Sequence, residues 1–302
     1  MSVPFVPGAS NPGTMREDVG GGTLNALRNA VQRGARAALL SVRGGDATGD
    51  TVARTIEAAG IADLSVTFLD RVTPSYTALL DREGDVVAAL ADMELYEIAF
   101  AKQMRRASVR DAIARADAVL TDANLPVDAL TRLASLAAGK PIFAIAISPA
   151  KAPRLSGVFP ELSCLFLNRR EAALLTGLAG SNTAAEMVAA LRRLGIMRAM
   201  VTSGPEPVLC YDATSAFLLT PPTPPRIVDV TGAGDAMTGA AVAALLRGAD
   251  FATAAREGVA AALLTLQSAK AVAEHDPRSF EAALALVPAT VPLQTAGALH
   301  DA

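Results

Sequence analysis

Short apolar runs alternate with amphipathic stretches over most of the chain. The apolar runs end at polar residues or turns, whereas the amphipathic stretches repeat their apolar residues at helical spacing and often end at glycine. The strand candidates are 37–42, 118–122, 141–147, 164–167, 199–202, 207–211 and 215–219, and the helix candidates are 23–31, 50–59, 127–138, 169–175, 184–194, 236–247, 251–266 and 279–286. This alternation predicts an α/β fold with a mostly parallel central sheet and helices on both faces.

One segment interrupts the alternation. Between residues 64 and 98, strand-like runs at 66–69, 75–80 and 86–91 follow one another, with a turn at 81–84. A hairpin inserted in a βα series forms a small sheet of its own, which we interpret as a lid over a site. An ordinary edge hairpin explains the same pattern equally well. No linker divides the chain, so we expect residues 1–302 to form a single domain.

Composition narrows the class of protein. The chain has 302 residues, of which 51% are hydrophobic, and a net charge of −3 without a basic run, which argues against nucleic acid as a partner. No apolar run approaches the roughly 20 residues that span a membrane, and no secretory signal opens the chain. We therefore expect a cytoplasmic protein that acts on small molecules. Cys164 and Cys210 have no spacing typical of a disulfide framework or a zinc site.

The stretch 227–239 carries the clearest chemistry. A β-branched run stops at Gly232 and Gly234, and a small-residue helical pattern follows, so free backbone N–H groups at a helix start would suit an anion. Asp235 lies in the same turn, where it could remove a hydroxyl proton while the N–H groups hold a transferring phosphoryl group. A tight turn with an N-cap aspartate remains the alternative. No Walker A lysine follows, and Met237 replaces the third glycine of a dinucleotide fingerprint.

Residues 229–235, Asp-Val-Thr-Gly-Ala-Gly-Asp, resemble the second signature of the ribokinase family, the PfkB-type carbohydrate kinases, with one residue inserted or shifted before Thr231. Three further stretches resemble the same family: the glycine motif at 20–25, Asn168 to Glu171, and the strand end at 201–204. The resemblance implies a ribokinase-like fold with a small β lid. It also implies ATP-dependent transfer of the γ-phosphoryl group to a hydroxyl of a sugar or nucleoside.

The resemblance also implies roles for individual residues. Asp235 would be the base, the N–H groups of Gly232, Ala233 and Gly234 would stabilise the moving phosphoryl group, and the lid would exclude water. ATP would lie against Thr202, Gly204, Thr231 and Ser268, and the acceptor against Gly21, Asn25, Asn124 and Lys151. Asn168 and Glu171 would organise Mg²⁺ through water, and Asp229 and Thr231 would border a site for a monovalent cation such as K⁺. A capping box explains Asn168 and Glu171 without any metal.

Five short stretches resemble the pseudouridine kinases within this family: 10–13, 75–78, 91–93, 122–126 and 148–152. They favour the 5′-hydroxyl of pseudouridine as the acceptor. A kinase for another sugar, of the ribose or fructose type, is the alternative within the family. A catalytically impaired nucleoside- or ATP-binding protein is the alternative outside enzymes. A homodimer formed through the lid is a further expectation.

The beginning of the chain departs from the family pattern. The family has a strand ahead of the glycine motif, and that strand carries an aspartate that binds the sugar hydroxyls. Here residues 1–19 are irregular, and Pro4, Pro7 and Pro12 lack the N–H that a sheet needs. We expect either a Val/Ile-rich strand upstream of Met1, or a protein that has lost this strand together with a substrate ligand.

Overall fold

The computed structural model describes residue 6 and residues 8–81, 86–178 and 182–293. The helices are α1 (Gly22–Gln32), α2 (Ala47–Ala58), α3 (Glu94–Gln103), α4 (Ala107–Arg115), α5 (Val127–Leu136), α6 (Arg169–Thr176), α7 (Ala184–Arg193), α8 (Ala233–Leu246), α9 (Phe251–Leu266) and α10 (Pro277–Leu286), with a 3₁₀ helix at Ala152–Glu161. Over these residues, no helix combines the length and apolar character needed to cross a membrane.

The strands form one large sheet and three small pairs. They are β1 (Ala38–Leu39), β2 (Val42–Gly44), β3 (Ala62–Asp63), β4 (Val66–Phe68), β5 (Ser75–Leu80), β6 (Val86–Asp92), β7 (Val119–Asp122), β8 (Ile142–Ile145), β9 (Cys164–Asn168), β10 (Ala199–Ser203), β11 (Glu206–Tyr211), β12 (Ala216–Leu219) and β13 (Val291–Pro292). The large sheet has the order β13-β12-β11-β10-β9-β8-β7. Strands β7 to β10 are parallel, and β11 to β13 add an antiparallel edge.

Both faces of the large sheet are buried, as a parallel sheet requires. Alternate residues point to opposite faces, so Phe166 and Met200 pack with α8, α9 and α10, whereas Leu165 and Val201 pack with the helices of the other face. The predicted α/β fold, with a mostly parallel sheet between two helical layers, is confirmed.

Helices α1, α8 and α9 pack at very short range. Gly239 of α8 lies directly against α1, and a Cβ atom at this position would overlap the carbonyl oxygen of Ala26. Gly258 of α9 is similarly close to α8, since a Cβ atom there would lie 2.8 Å from the carbonyl oxygen of Met237. Alanines fill most of the remaining contact, including Ala240, Ala244 and Ala260, which are fully buried. The small-residue pattern therefore sets the distance between α1 and the start of α8.

The inserted hairpin is smaller than the segment 64–98 that the sequence suggested for a lid. Strands β5 and β6 pair antiparallel from Ser75 to Asp92, whereas β4 pairs with β2 instead. The predicted turn at 81–84 lies outside the described residues, except for Asp81. Tyr76, Leu79 and Leu90 are exposed on this two-stranded ribbon. The hairpin therefore carries apolar surface that nothing in the described part of the chain covers.

Several predicted boundaries were wrong. Helix α8 begins at Ala233 rather than Ala236, so Asp235 belongs to its first turn. The run 37–42 is divided into β1 and β2, and α10 begins two residues earlier than expected. Helices α3 and α4 were not predicted. In α3, residues 94–103 have apolar residues on all sides and show no helical stripe.

The close approach of α1 and α8 can be tested at Gly239. Gly239→Ala should destabilise the protein by about 1–3 kcal/mol, because the added methyl group overlaps the Ala26 carbonyl and pushes the two helices apart. Urea denaturation would measure the change. Gly157→Ala is the control, since nothing lies within 4 Å of a Cβ there. Equal stability of the two variants would contradict this account of the packing.

Candidate active site

The predicted site residues come from elements that end or begin at one edge of the large sheet. Asp122, Asn168 and Thr202 lie at the carboxyl ends of β7, β9 and β10, and Thr202 pairs directly with Asn168. Helices α1 and α8 begin beside the same edge, since Gly22 of α1 lies close to both Asp122 and Asp235. The carboxyl edge of a parallel sheet is where α/β proteins bind ligands.

The amino end of α8 forms a tight turn. Gly232 is its N-cap, with φ of 82° in the left-handed region, and a Cβ atom there would overlap the carbonyl oxygen of Ala271. The Ala233 N–H donates a long hydrogen bond of 3.4 Å to the Val230 carbonyl. Within the described residues, the N–H groups of Gly232 and Gly234 have no acceptor. These donors and the helix dipole make the turn suitable for an anion.

Asp235, the third residue of α8, is held by α1. Its Oδ2 accepts a hydrogen bond of 2.9 Å from Asn25 Nδ2. Burial raises the pKa of Asp235 to about 6, the bond from Asn25 opposes the rise, and the negative charge of Asp122 adds to it. A carboxylate with this pKa is mostly ionised at neutral pH and can accept a proton. The N-cap alternative is wrong, because Gly232 occupies that position.

Asp122 is a site residue that the sequence analysis did not single out. Its Oδ2 accepts hydrogen bonds from the N–H and the hydroxyl of Thr23, at 3.1 and 2.9 Å, and its Oδ1 accepts one of 2.8 Å from the Asn124 N–H. The N-cap of α1 is Gly21, which has no side chain, so Asp122 caps this helix from β7. The signal in the sequence was an acidic residue that ends an apolar strand.

Gly22 separates the two carboxylates. A Cβ atom at Gly22 would lie 3.5 Å from Asp235 Oδ1 and 3.6 Å from Asp122 Oδ2, and it would overlap Ile147 Cδ1. Ile147 follows β8 and has φ of 69°, which is strained for a β-branched residue. Backbone strain of this kind is concentrated at functional sites. The glycine at position 22 therefore allows Ile147 and the two carboxylates to pack closely against the start of α1.

Asn124 and Lys151 form a polar contact beside Asp122. Lys151 Nζ donates to Asn124 Oδ1 at 2.6 Å, and Arg154 Nη1 donates to the Asn124 carbonyl at 3.2 Å. Partial burial lowers the pKa of Lys151, and the nearby Asp122 carboxylate raises it. Hydrogen bonds thus connect Lys151 to Asn124, Asn124 to Asp122, and Asp122 to Thr23. Asn124 and Lys151, two of the residues predicted to contact the acceptor, therefore lie beside the start of α1.

Asn168 and Glu171 form a capping box at the start of α6. Asn168 Oδ1 accepts from the Glu171 N–H at 2.9 Å, and Glu171 Oε2 accepts from the Asn168 N–H at 2.7 Å. The capping box, which was the alternative explanation for these two residues, is therefore present in the structure. Over the described residues, Glu171 Oε1 accepts no hydrogen bond. Burial raises the pKa of Glu171, while the bonds from Asn168 lower it.

The remaining predicted residues lie in the turns before α8, after α9 and after β10. Asp229 Oδ1 accepts from the Thr231 N–H at 2.9 Å, and Arg16 Nη1 lies 3.9 Å from Asp229 Oδ2. Ser268 belongs to the loop that includes Ala271, against which Gly232 packs. Gly204, with φ of 59°, follows β10. Of the described residues, no three His, Cys, Asp or Glu side chains are arranged to hold a metal ion by themselves.

Comparisons with known proteins identify the family of the chain. Residues 4–277 match the pfkB family carbohydrate kinases. The chain is 29% identical over 250 residues to a pseudouridine kinase of Escherichia coli, which covers 82% of this chain and 79% of that protein. An identity of 29% does not by itself establish that the two proteins act on the same substrate.

Solved structures give the same family and fold. A carbohydrate kinase from Agrobacterium tumefaciens is 43% identical, with a TM-score of 0.84 over 97% of this chain and 94% of that one. A candidate ribokinase II from Escherichia coli, in complex with ATP and Mg²⁺, is 18% identical with a TM-score of 0.76 over 92% and 94% of the two chains, which shows the shared fold. The chain therefore belongs to the pfkB family of carbohydrate kinases and is a phosphotransferase that acts on a sugar or nucleoside hydroxyl.

Proposed function

We propose that this protein transfers the γ-phosphoryl group of ATP to the 5′-hydroxyl of pseudouridine. The observation that carries the transfer chemistry is the Asp235 carboxylate, whose pKa is raised to about 6, next to the unpaired N–H groups at the start of α8. The acceptor rests on the short stretches that resemble pseudouridine kinases and on the similarity to the Escherichia coli enzyme. A kinase for another sugar is the alternative within the family.

Asp235 is the base in this proposal. Its carboxylate accepts the proton of the acceptor hydroxyl as the oxygen attacks the γ-phosphorus. Asn25 holds Oδ2 through its amide, which leaves Oδ1 to face the acceptor near Gly22. Burial keeps water from competing for the carboxylate, and the raised pKa makes the proton transfer more favourable.

The start of α8 holds the moving phosphoryl group. The N–H groups of Gly232 and Gly234 point at the negative charge that develops in the transition state, together with the helix dipole. The Ala233 N–H contributes less, since it already bonds to Val230. Thr231 and Ser268 border the phosphates from the α8 side, and Thr202 and Gly204 border them from β10.

Mg²⁺ would be held through water beside Glu171. The capping box uses Oε2, so Oε1 remains available for a hydrated ion. When bound there, the ion would supply positive charge against the phosphate groups. Asp229 is a less suitable neighbour for K⁺, because the Arg16 guanidinium already lies 3.9 Å from its Oδ2. A monovalent cation there would have to displace Arg16 from this contact.

The acceptor would occupy the space in front of Gly21, Asn25, Asn124 and Lys151. Asn124 and Lys151 offer a donor and an acceptor that could exchange their mutual bond for bonds to a nucleobase edge. The lid would close over this space, and its exposed apolar residues would pair with the lid of a second copy in a homodimer.

Asp235→Asn tests the base through two opposite effects. The rate constant kcat should fall by roughly 10²-fold or more, because the amide cannot accept the proton. Stability at pH 7 should rise by about 1–3 kcal/mol, since the raised pKa means that the ionised carboxylate destabilises the fold. The gain should vanish below pH ~4, where the wild-type carboxyl is neutral in both folded and unfolded states. In the wild type, the rate should rise with pH through about 6. Unchanged turnover in the variant would remove Asp235 from the mechanism.

Glu171→Gln separates the capping box from the metal site. Glutamine still accepts from the Asn168 N–H, so the cap and the stability should be retained. The Mg²⁺ concentration for half-maximal rate should rise by about tenfold, because a charged partner of the hydrated ion is lost. The matched control is Glu186→Gln in the exposed capping box with Thr183, which contains the same pair of reciprocal hydrogen bonds. Identical Mg²⁺ dependence in both variants would mean that Glu171 serves only the capping box and not the metal ion.

A coupled kinase assay over pseudouridine, uridine, ribose and fructose tests the acceptor. We expect the highest kcat/KM for pseudouridine. Lys151→Met should raise KM for pseudouridine by about tenfold, as expected for one lost polar contact, with KM for ATP unchanged. Lys102→Met, on the exposed side of α3, is the control. If kcat/KM were higher for a free sugar than for pseudouridine, that sugar would be the acceptor instead. ATP binding without turnover of any acceptor would instead indicate a non-catalytic binding protein.

A further inference from the structure

Two loop segments meet beside the amino end of α8. We call residues 226–232, which lead into α8, the entry segment, and residues 267–272, which follow α9, the α9 loop. The Val228 N–H donates to the carbonyl of Leu266, the last residue of α9, at 2.8 Å. This hydrogen bond joins the entry segment to the end of α9 just where the α9 loop begins.

The turn at the start of α8 rests on the α9 loop. A Cβ atom at Gly232 would overlap the carbonyl oxygen of Ala271, so the two main chains are in direct contact. The loop is tightened by the Lys270 N–H, which donates to Ser268 Oγ at 2.9 Å. Because Gly232 and Gly234 supply the N–H donors of the proposed phosphoryl site, the α9 loop sets the direction in which these donors point.

One guanidinium reaches both segments. Arg16 Nη2 donates to the Ala269 carbonyl oxygen at 2.5 Å, and Arg16 Nη1 lies 3.9 Å from Asp229 Oδ2. Within the part of the chain that the structure describes, no other group donates to these two oxygens, since the Thr231 N–H bonds to Asp229 Oδ1. Asp18 Oδ2 also lies 3.9 Å from Arg16 Nη2. We call this contact the Arg16 bridge.

The bridge places positive charge where two oxygens need it. A carboxylate and a carbonyl oxygen on adjoining segments repel each other unless a positive group lies between them. A guanidinium is always charged, and its fixed N–H donors can serve two acceptors at once. Arg16 and Ala269 are 253 residues apart in the chain, so the contact does not follow from local sequence.

We propose that Arg16 is a positioning residue that acts as a built-in cation. Its guanidinium holds the Asp229 carboxylate and the Ala269 carbonyl together and thereby keeps the donors at the start of α8 in place for ATP. The protein then needs no free monovalent cation at this position. The effect on ATP rests on the proposed function, whereas the joining of the two segments does not.

The role of the bridge is local. The Arg16 side chain is 60% exposed, and exposed ion pairs add little to the stability of a whole fold. A cavity of about 410 Å³ is lined by residues 17–19 and 270–272, which directly follow Arg16 and Ala269 in the chain. A small ion from solvent therefore has access to the two oxygens when the arginine is removed.

Arg16→Gln removes the charge but keeps a side chain that can donate a hydrogen bond. Protection of the Val228 amide against hydrogen exchange should fall by about fivefold, because the two segments separate more often. The Kd for ATP, measured by calorimetry without an acceptor, should rise by about tenfold. The melting temperature should change little. Arg16→Lys retains the charge and should keep most of the ATP affinity.

Arg256→Gln is the matched control. The Arg256 guanidinium also donates to main-chain carbonyls, those of Val287 and Pro288 after α10, but it does not touch the entry segment or the α9 loop. Its replacement should leave both Val228 protection and ATP affinity unchanged.

Free guanidinium ions provide a readout that a merely structural role would not move. Guanidinium chloride, far below concentrations that unfold proteins, should restore Val228 protection and ATP affinity to Arg16→Gln, because the ion can enter beside Asp229. Urea has nearly the same shape without the charge and should restore neither. Choline chloride keeps the ionic strength equal in all samples. The wild type should bind ATP equally well in potassium chloride and in choline chloride.

A double-mutant cycle examines the same charge from the other side of the bridge. Asp229→Asn leaves no carboxylate to neutralise, so adding Arg16→Gln to this variant should change the Kd for ATP by no more than about twofold. A tenfold effect of Arg16→Gln in both backgrounds would contradict a charge interaction between the two residues.

The outcomes are distinguishable. Unchanged Val228 protection in Arg16→Gln, or a loss that guanidinium does not restore, would overturn the proposal. A wild type that binds ATP only when K⁺ replaces choline would overturn it too, because a free ion rather than Arg16 would then balance Asp229. If Val228 protection follows the charge at position 16 while ATP affinity does not, the bridge is supported and the proposed phosphate site at the start of α8 is wrong.

Discussion

The site depends on one partly buried hydrogen bond, from Asn25 of α1 to Asp235 of α8. The bond can form only because α1 and α8 approach at backbone distance, where Gly239 packs against Ala26. The same approach removes water from the Asp235 carboxylate and raises its pKa. Small residues in the two helices therefore determine the chemistry of the base as well as the packing of the core.

The two neighbouring carboxylates have different environments, and this difference separates their roles. Asp122 accepts three hydrogen bonds, two from Thr23 and one from Asn124. Asp235 accepts one, from Asn25. Burial raises the pKa of Asp235, so this carboxylate can take up a proton, while Asp122 holds the start of α1.

The sequence predicted those features that local patterns encode. The bounds of α9 agree with its helical spacing at both ends, and the capping box of Asn168 and Glu171 could be read from residue spacing alone. Asp122 could not be placed, because the helix that it caps begins about a hundred residues earlier in the chain. The start of α8 was misplaced because small residues such as Ala233 and Gly234 carry no apolar periodicity.

Helix α1 connects the edge of the large sheet to the site. Its amino end is capped by Asp122, the last residue of β7, and its Asn25 donates to Asp235. Leu24 and Leu27 of the same helix line the cavity of about 770 Å³ between β1 and β7. Because one helix carries both the capped end and the amide that holds Asp235, the position of β7 at the sheet edge and the geometry of the base are coupled through α1.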